Sequence, residues 1–340
     1  MSECPKARLW LDGCFDGFHF AHANAVRQSR KFGDYVIVGV HSDRLIEKWV
    51  AALYDLIRGC RWVDEVAEDV PYITDMDFVA KYDIGSSLNL STGEVCLYAT
   101  KLHKDYVCHG DDPVLVGDIE MTATHMQKRQ GSTKNIPERT CFSAYHLSGA
   151  TETETRLVAP DGELWKLIDE FAASCPEQPP IIDFSDPNNR HDTLPQDNSR
   201  DVVYIGGSWD VFGSGHVELL RRAYQTRTNT YLIVGVWGEQ AVWDDCGERP
   251  LLDTLERVLA VLQCQYTSAV IIDAPAEPTP AFFSEIAAKF VVNPGDQFAA
   301  TDGIQMLSVV IPKLQTIEEL RERIITRKEI YSVRQKKKRA

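Results

Sequence analysis

The chain has 340 residues, enough for about two domains that each bury a real core. Its 44% hydrophobic and 25% charged residues exclude a collagen, a coiled-coil rod and a wholly disordered chain. With 36 basic against 50 acidic residues, the formal net charge of −14 argues against a general nucleic-acid binder, though not against a small anionic substrate. The 9 cysteines are scattered without a C-x-x-C pair, which predicts reduced thiols in the cytoplasm rather than disulfides or a zinc site. The start MSECPKARLW does not read as a signal peptide, and no apolar run is long enough for a transmembrane segment.

In chain order, a first strand ends at Leu11, Gly13 turns the backbone, and a helix begins near His22. A second strand carries IVGV at 37–40, and a helix leads into GCRWVDEV. The same succession returns later. LWLDGCFDGFHFAHANAV (9–26) is matched by VYIGGSWDVFGSGHVELL (203–220), Asp16 by Asp210, Val40 by Val236, Cys60 by Cys264 and Gly110 by Gly295. Copy one is shorter than copy two before Cys60. It is longer before Gly110, where the Ser- and Thr-rich stretch 84–103 reads as an inserted surface loop. Short apolar strands alternating with helices predict an α/β fold: two tandem doubly wound parallel-sheet (Rossmann-like) domains. Residues 1–155 form the first domain, 156–200 a linker rich in Pro, Asn and Asp, and 201–340 the second domain. Helical apolar spacing over 163–174 leads into that linker, and the basic end RQKKKR (334–339) reads as a solvated helix terminus.

The first turn carries the chemistry. A helix N-terminus exposes unpaired N–H groups and a positive dipole end, which suits a phosphate. His19 and His22, three residues apart, add imidazole donors at the same place. Taken alone, such a pair is also compatible with unrelated loop and helix histidines. A metal site is disfavoured, because no further ligand stands at a supporting spacing.

The strand, G-x-F-D, x-x-H-x-x-H and helix together resemble the H-x-G-H signature of the cytidylyltransferases of the nucleotidyltransferase α/β superfamily. RWVDEV (61–66), PYIT (71–74), HGDD (109–112) and the pair Arg139–Thr140 follow in order. Tandem duplication resembles the branch that acts on phosphoethanolamine. The resemblance implies transfer of CMP from CTP to phosphoethanolamine, with loss of pyrophosphate, in phosphatidylethanolamine synthesis. It implies that His19, His22 and Lys48 act on the phosphates, and that Gly13, Cys14, Phe15, Asp16, Arg61, Asp64, Arg139 and Thr140 line the CTP site. Asp112 would face the ammonium group, and Mg²⁺ would arrive with CTP, held mostly by the triphosphate. A homodimer is compatible with it. Phosphocholine or glycerol 3-phosphate as acceptor, and a non-catalytic nucleotide-binding chain, are the rival readings.

Some positions depart from the family pattern. Ala21 replaces the signature glycine, and the R-T-x-G-[IV]-S-T-T signature is reduced to RTCFSAYHL (139–147). Ala52 and Leu53 fill the slots of a Glu-Arg pair. Copy two keeps that pair in LER (255–257), but has Gly213 in place of the first histidine and only His216 in place of the second. It is expected to be a structural partner without turnover.

Overall fold

The computed structural model describes residues 8–13, 15, 18–30, 33–41, 50–71, 81–82, 161–185, 194, 199–247, 249–292, 303–314, 316 and 319. Copy one runs β1 (Arg8–Gly13), α1 (Phe20–Ser29), β2 (Tyr35–His41), α2 (Val50–Arg58) and β3 (Glu65–Val70). After it come α3 (Asp161–Ala173) and β4 (Ile181–Asp183). Copy two runs β5 (Asp201–Gly207), α4 (Ser214–Tyr224), β6 (Thr230–Trp237), α5 (Glu239–Cys246), α6 (Thr254–Leu262), β7 (Ala269–Ala274), α7 (Pro280–Glu285), β8 (Phe290–Val292) and β9 (Gln305–Leu307).

Two sheets result, one in the order β1-β2-β3 and one in the order β4-β7-β6-β5-β8-β9. Every pairing in both is parallel. Parallel strands covered on both faces read as continuous apolar runs, which is why YVIVGV and TYLIVGVW lack alternation. The shared glycine of these runs has a packing cause. A side chain at Gly39 would meet the Trp10 ring, and one at Gly235 would meet the Tyr204 hydroxyl. Register repeats as well: Asp12 lies opposite Gly39 as Gly206 lies opposite Gly235, and both sheets shift register just before His41 and Trp237.

The copies meet reciprocally. Arg61 N–H donates to Gln263 O at 2.8 Å, and the matching Gln265 N–H donates to Gly59 O at 2.9 Å. Helix α2 packs on α4, and its counterpart α6 packs on α1. Such exchange of equivalent contacts is the pattern of an isologous interface, here inside one chain. One apolar core runs through the junction and takes in Val38, Ile57 and Cys60 of copy one with Val217, Leu259 and Cys264 of copy two.

Within the stretch 156–200 read as a linker, the described residues 161–185 pack as regular structure. Helix α3 inserts Leu164, Leu167, Ile168 and Phe171 into that shared core, and Ile181 and Ile182 are buried in β4 at the edge of the second sheet. The Pro-rich composition signalled breaks in the chain, but a short edge strand tolerates flanking prolines. In copy two, α5 lies between β6 and α6, the interval in which that copy is the longer. The expected insertion at 84–103 and the basic end at 334–339 lie outside the described residues.

Candidate active site

β1 ends at Gly13, at the C-terminal edge of the first sheet, and α1 begins at Phe20. Ligands of open parallel sheets bind at this edge. Phe15 stands there at φ 45°, and its counterpart Trp209 at φ 55°. A left-handed conformation in an aromatic residue is strained, and such strain gathers at functional turns.

His19 is the N-cap of α1, with extended backbone and a side chain that accepts the Ala21 N–H on Nδ1 at 3.2 Å. His22 Nδ1 accepts the His19 N–H at 3.4 Å. Two imidazoles thus form a reciprocal cap in place of the usual Ser or Thr with Glu. The chemical consequence is a fixed tautomer. In each neutral ring an Nδ1 that accepts leaves the proton on Nε2, so both rings present an Nε2–H donor. The surrounding protein pushes the His19 pKa down to about 4, so the neutral form prevails at pH 7. The rings lie 4.3 Å apart, and His22 stacks on Phe18 at 5.7 Å. The first turn of α1 holds no acidic side chain, so its positive end is left for an anion.

Copy two repeats half of this arrangement. His216 Nδ1 accepts the Gly213 N–H at 3.1 Å, and its ring stacks on Phe212 at 5.4 Å. Burial likewise pushes its pKa down to about 4. Gly213 supplies no second imidazole. The retained Arg257 is fully buried and bonds inward. Its guanidinium donates to Ser208 O and Trp237 O, each at 2.7 Å, to Leu252 O at 3.1 Å and to Thr254 Oγ1 at 3.0 Å. It braces the ends of β5 and β6 against the start of α6. Asp210, the match of Asp16, accepts the Leu251 and Leu252 N–H groups at 2.7 and 3.0 Å and anchors the same region.

Among the expected site residues, Gly13, Phe15, His19 and His22 come together in this turn. Arg61 and Asp64 do not join them. Both precede β3, at the N-terminal end of the first sheet, opposite the histidine turn. Arg61 donates across the junction to Cys264 O at 2.6 Å and Thr267 O at 2.8 Å. Asp64 accepts from Arg30 at 2.6 Å and from the Val36 N–H at 2.7 Å. Their contacts here are structural, joining the copies and bracing the start of β2. Copy two performs the Asp64 task with Ser268, whose hydroxyl accepts the Leu232 N–H at 3.2 Å. Cys14, Asp16, Lys48, Asp112, Arg139 and Thr140 lie outside the described residues.

One pair escaped the sequence reading. Buried Asp12 and His41 close the C-terminal ends of β1 and β2, with His41 Nε2 at 3.5 Å from Asp12 Oδ2 and Nδ1 at 3.3 Å from Val70 O. The matched positions in copy two are Gly206 and Trp237. The signal lay in setting LWLDG beside VYIGG, and GVH beside GVW.

Known proteins agree with this architecture. The family described as cytidylyltransferase-like matches residues 10–148 and again 204–337. The chain is 31% identical to the ethanolamine-phosphate cytidylyltransferase of Dictyostelium discoideum, over 85% of this chain and 79% of that protein. It is 32% identical to the enzyme of the same name from Arabidopsis thaliana, over 79% of this chain and 65% of that one. Similarity to choline-phosphate cytidylyltransferase 2 of Arabidopsis thaliana, at 36%, spans 24% of this chain and 30% of that one. With two matched regions, a repeated parallel-sheet architecture and a histidine-capped helix at the ligand edge, this chain belongs to the cytidylyltransferase-like family.

Proposed function

We infer that this chain is an ethanolamine-phosphate cytidylyltransferase, making CDP-ethanolamine and pyrophosphate from CTP and phosphoethanolamine. The observation that carries the reading is the pair of fixed Nε2–H donors of His19 and His22 at the open end of α1. Relatives named for the ethanolamine reaction align over most of both copies, while those named for choline align over about a quarter of the chain.

The acceptor phosphate attacks the α-phosphorus of CTP, and pyrophosphate leaves. Negative charge grows on the oxygens of the leaving group. Neutral imidazoles with Nε2–H aimed at that charge stabilise it, and the α1 dipole adds to the effect. No covalent intermediate is required, because positioning and charge stabilisation suffice for this class of transfer. In this reading Gly13, Cys14, Phe15 and Asp16 line the nucleotide site, and Lys48, Arg139 and Thr140 address its phosphates. Asp112 accepts hydrogen bonds from the primary ammonium, which a trimethylammonium cannot donate. Mg²⁺ enters with CTP and neutralises triphosphate charge.

No described helix is long and apolar enough to cross a membrane. The cytoplasm is the compartment proposed, on the scattered cysteine pattern of the sequence. The deciding assay is pyrophosphate release with CTP and either phosphoethanolamine or phosphocholine. A higher kcat/KM for phosphoethanolamine is expected; an equal or higher value for phosphocholine would reject the assignment. CTP binding without turnover on either would favour the non-catalytic reading.

A further inference from the structure

Where the copies meet, the turns after α2 and α6 run antiparallel for a single residue pair, Cys60 opposite Cys264. The backbone bonds Arg61 to Gln263 and Gln265 to Gly59 flank this pair on either side, and none joins the pair itself. That is the non-hydrogen-bonded arrangement, in which Cα atoms approach to about 4.5 Å and side chains project to the same side. A disulfide spans Cα separations of about 4.4–6.8 Å. Both side chains enter the same apolar core, each 1% exposed, and both are free thiols. Their proximity is also felt electrostatically. Burial pushes the Cys60 thiol up to about 12, and Cys264 contributes in the same direction.

We propose that Cys60 and Cys264 are a modification site, a peroxide-driven disulfide that joins copy one to copy two. One cysteine, as its thiolate, attacks hydrogen peroxide; the O–O bond breaks, a sulfenic acid forms and the second oxygen leaves as water after taking up a proton. The other sulfur then attacks the sulfenic sulfur; the S–S bond forms, the S–O bond breaks and a second water departs. Two thiols lose two electrons and two protons, and one peroxide becomes two waters. Burial and the raised pKa values make the closed junction slow to react, because the thiolate is the nucleophile. The site therefore responds to sustained oxidant or to heat that opens the junction. Among the described cysteines Cys246 is the exposed one and serves as an internal control for oxidation. Once formed, the cross-link restrains the unfolded chain over a very long loop, the situation in which a disulfide has most to constrain.

The test uses the full chain and does not depend on the assigned activity. The protein is held with hydrogen peroxide at the foot of its melting transition, its remaining thiols are alkylated in denaturant, and peptides are mapped by mass. The expected product joins the Cys60 and Cys264 peptides and separates on reduction. In Cys264→Ala the joined peptide disappears and Cys60 is recovered alkylated. The proposal is overturned if, once Cys246 has been oxidised, the wild-type chain still yields both cysteines alkylated. It is equally overturned if they are joined to other cysteines or oxidised separately to sulfinic acids.

Discussion

The histidine turn makes opposite demands on its two copies. Replacing His22 with Ala removes a preorganised donor, a loss of roughly 10²–10³ in kcat, or about 3–4 kcal/mol. His216→Ala should change turnover by less than about tenfold, because Gly213 supplies no second imidazole beside it. Pyrophosphate release from both variants, with circular dichroism as the folding control, checks the pair; a larger loss for His216→Ala would reverse the assignment. His216 has its own signature in stability. Its pKa falls from 6.5 to about 4 on folding. Between those values the unfolded chain takes up a proton that the folded ring declines, so stability falls as pH drops from about 6.5 toward 4. Melting temperatures at pH 7 and pH 5 should therefore differ more in the wild type than in His216→Ala. An equal difference would show that the ring is not held neutral.

At the scale of elements, α3 and α6 carry more than their sequences advertise. Phe171 on α3 packs edge-on against Trp62 at 4.7 Å, and Glu170 pairs with Arg27 at 2.6 Å, so a helix expected to lead into a linker holds copy one. Phe171→Ala should cost about 3–5 kcal/mol, read as a shift in the urea midpoint. A loss under about 1 kcal/mol would mean that α3 is only loosely docked. Arg257 is the second case. LER keeps the Glu-Arg pair that copy one lacks, and its guanidinium is spent on four protein oxygens. Arg257→Ala leaves buried carbonyls without donors and should destabilise by about 3 kcal/mol or more. Unchanged stability with weaker CTP binding would instead give Arg257 a ligand role. The motif named a residue type at a spacing; only the fold tells whether its charged end turns outward or inward.

Across the whole molecule, the shared core makes the two copies one folding unit. Calorimetry should find one cooperative unfolding transition, and two separated transitions would show that the junction is weak. Gly59 sits at that junction, where an added side chain would strike Val217, so Gly59→Ala should lower the melting temperature by several degrees. An unchanged value would mean that the copies can move apart to make room.

The repeat, the parallel α/β architecture and the histidine-bearing turn were legible in the amino-acid sequence. Each rests on local periodicity or on a motif whose geometry is set within about ten residues: an apolar run, a turn, a helix start. What needed the tertiary structure were the relations between distant segments. RWVDEV gave no sign that Arg61 donates to carbonyls of the other copy, nor that Asp64 caps the far end of the sheet. Asp12 and His41 come from different strands, and Cys60 and Cys264 from different copies. Spacing along the chain does not encode such meetings, because they depend on register, on sheet order and on which faces the core brings together.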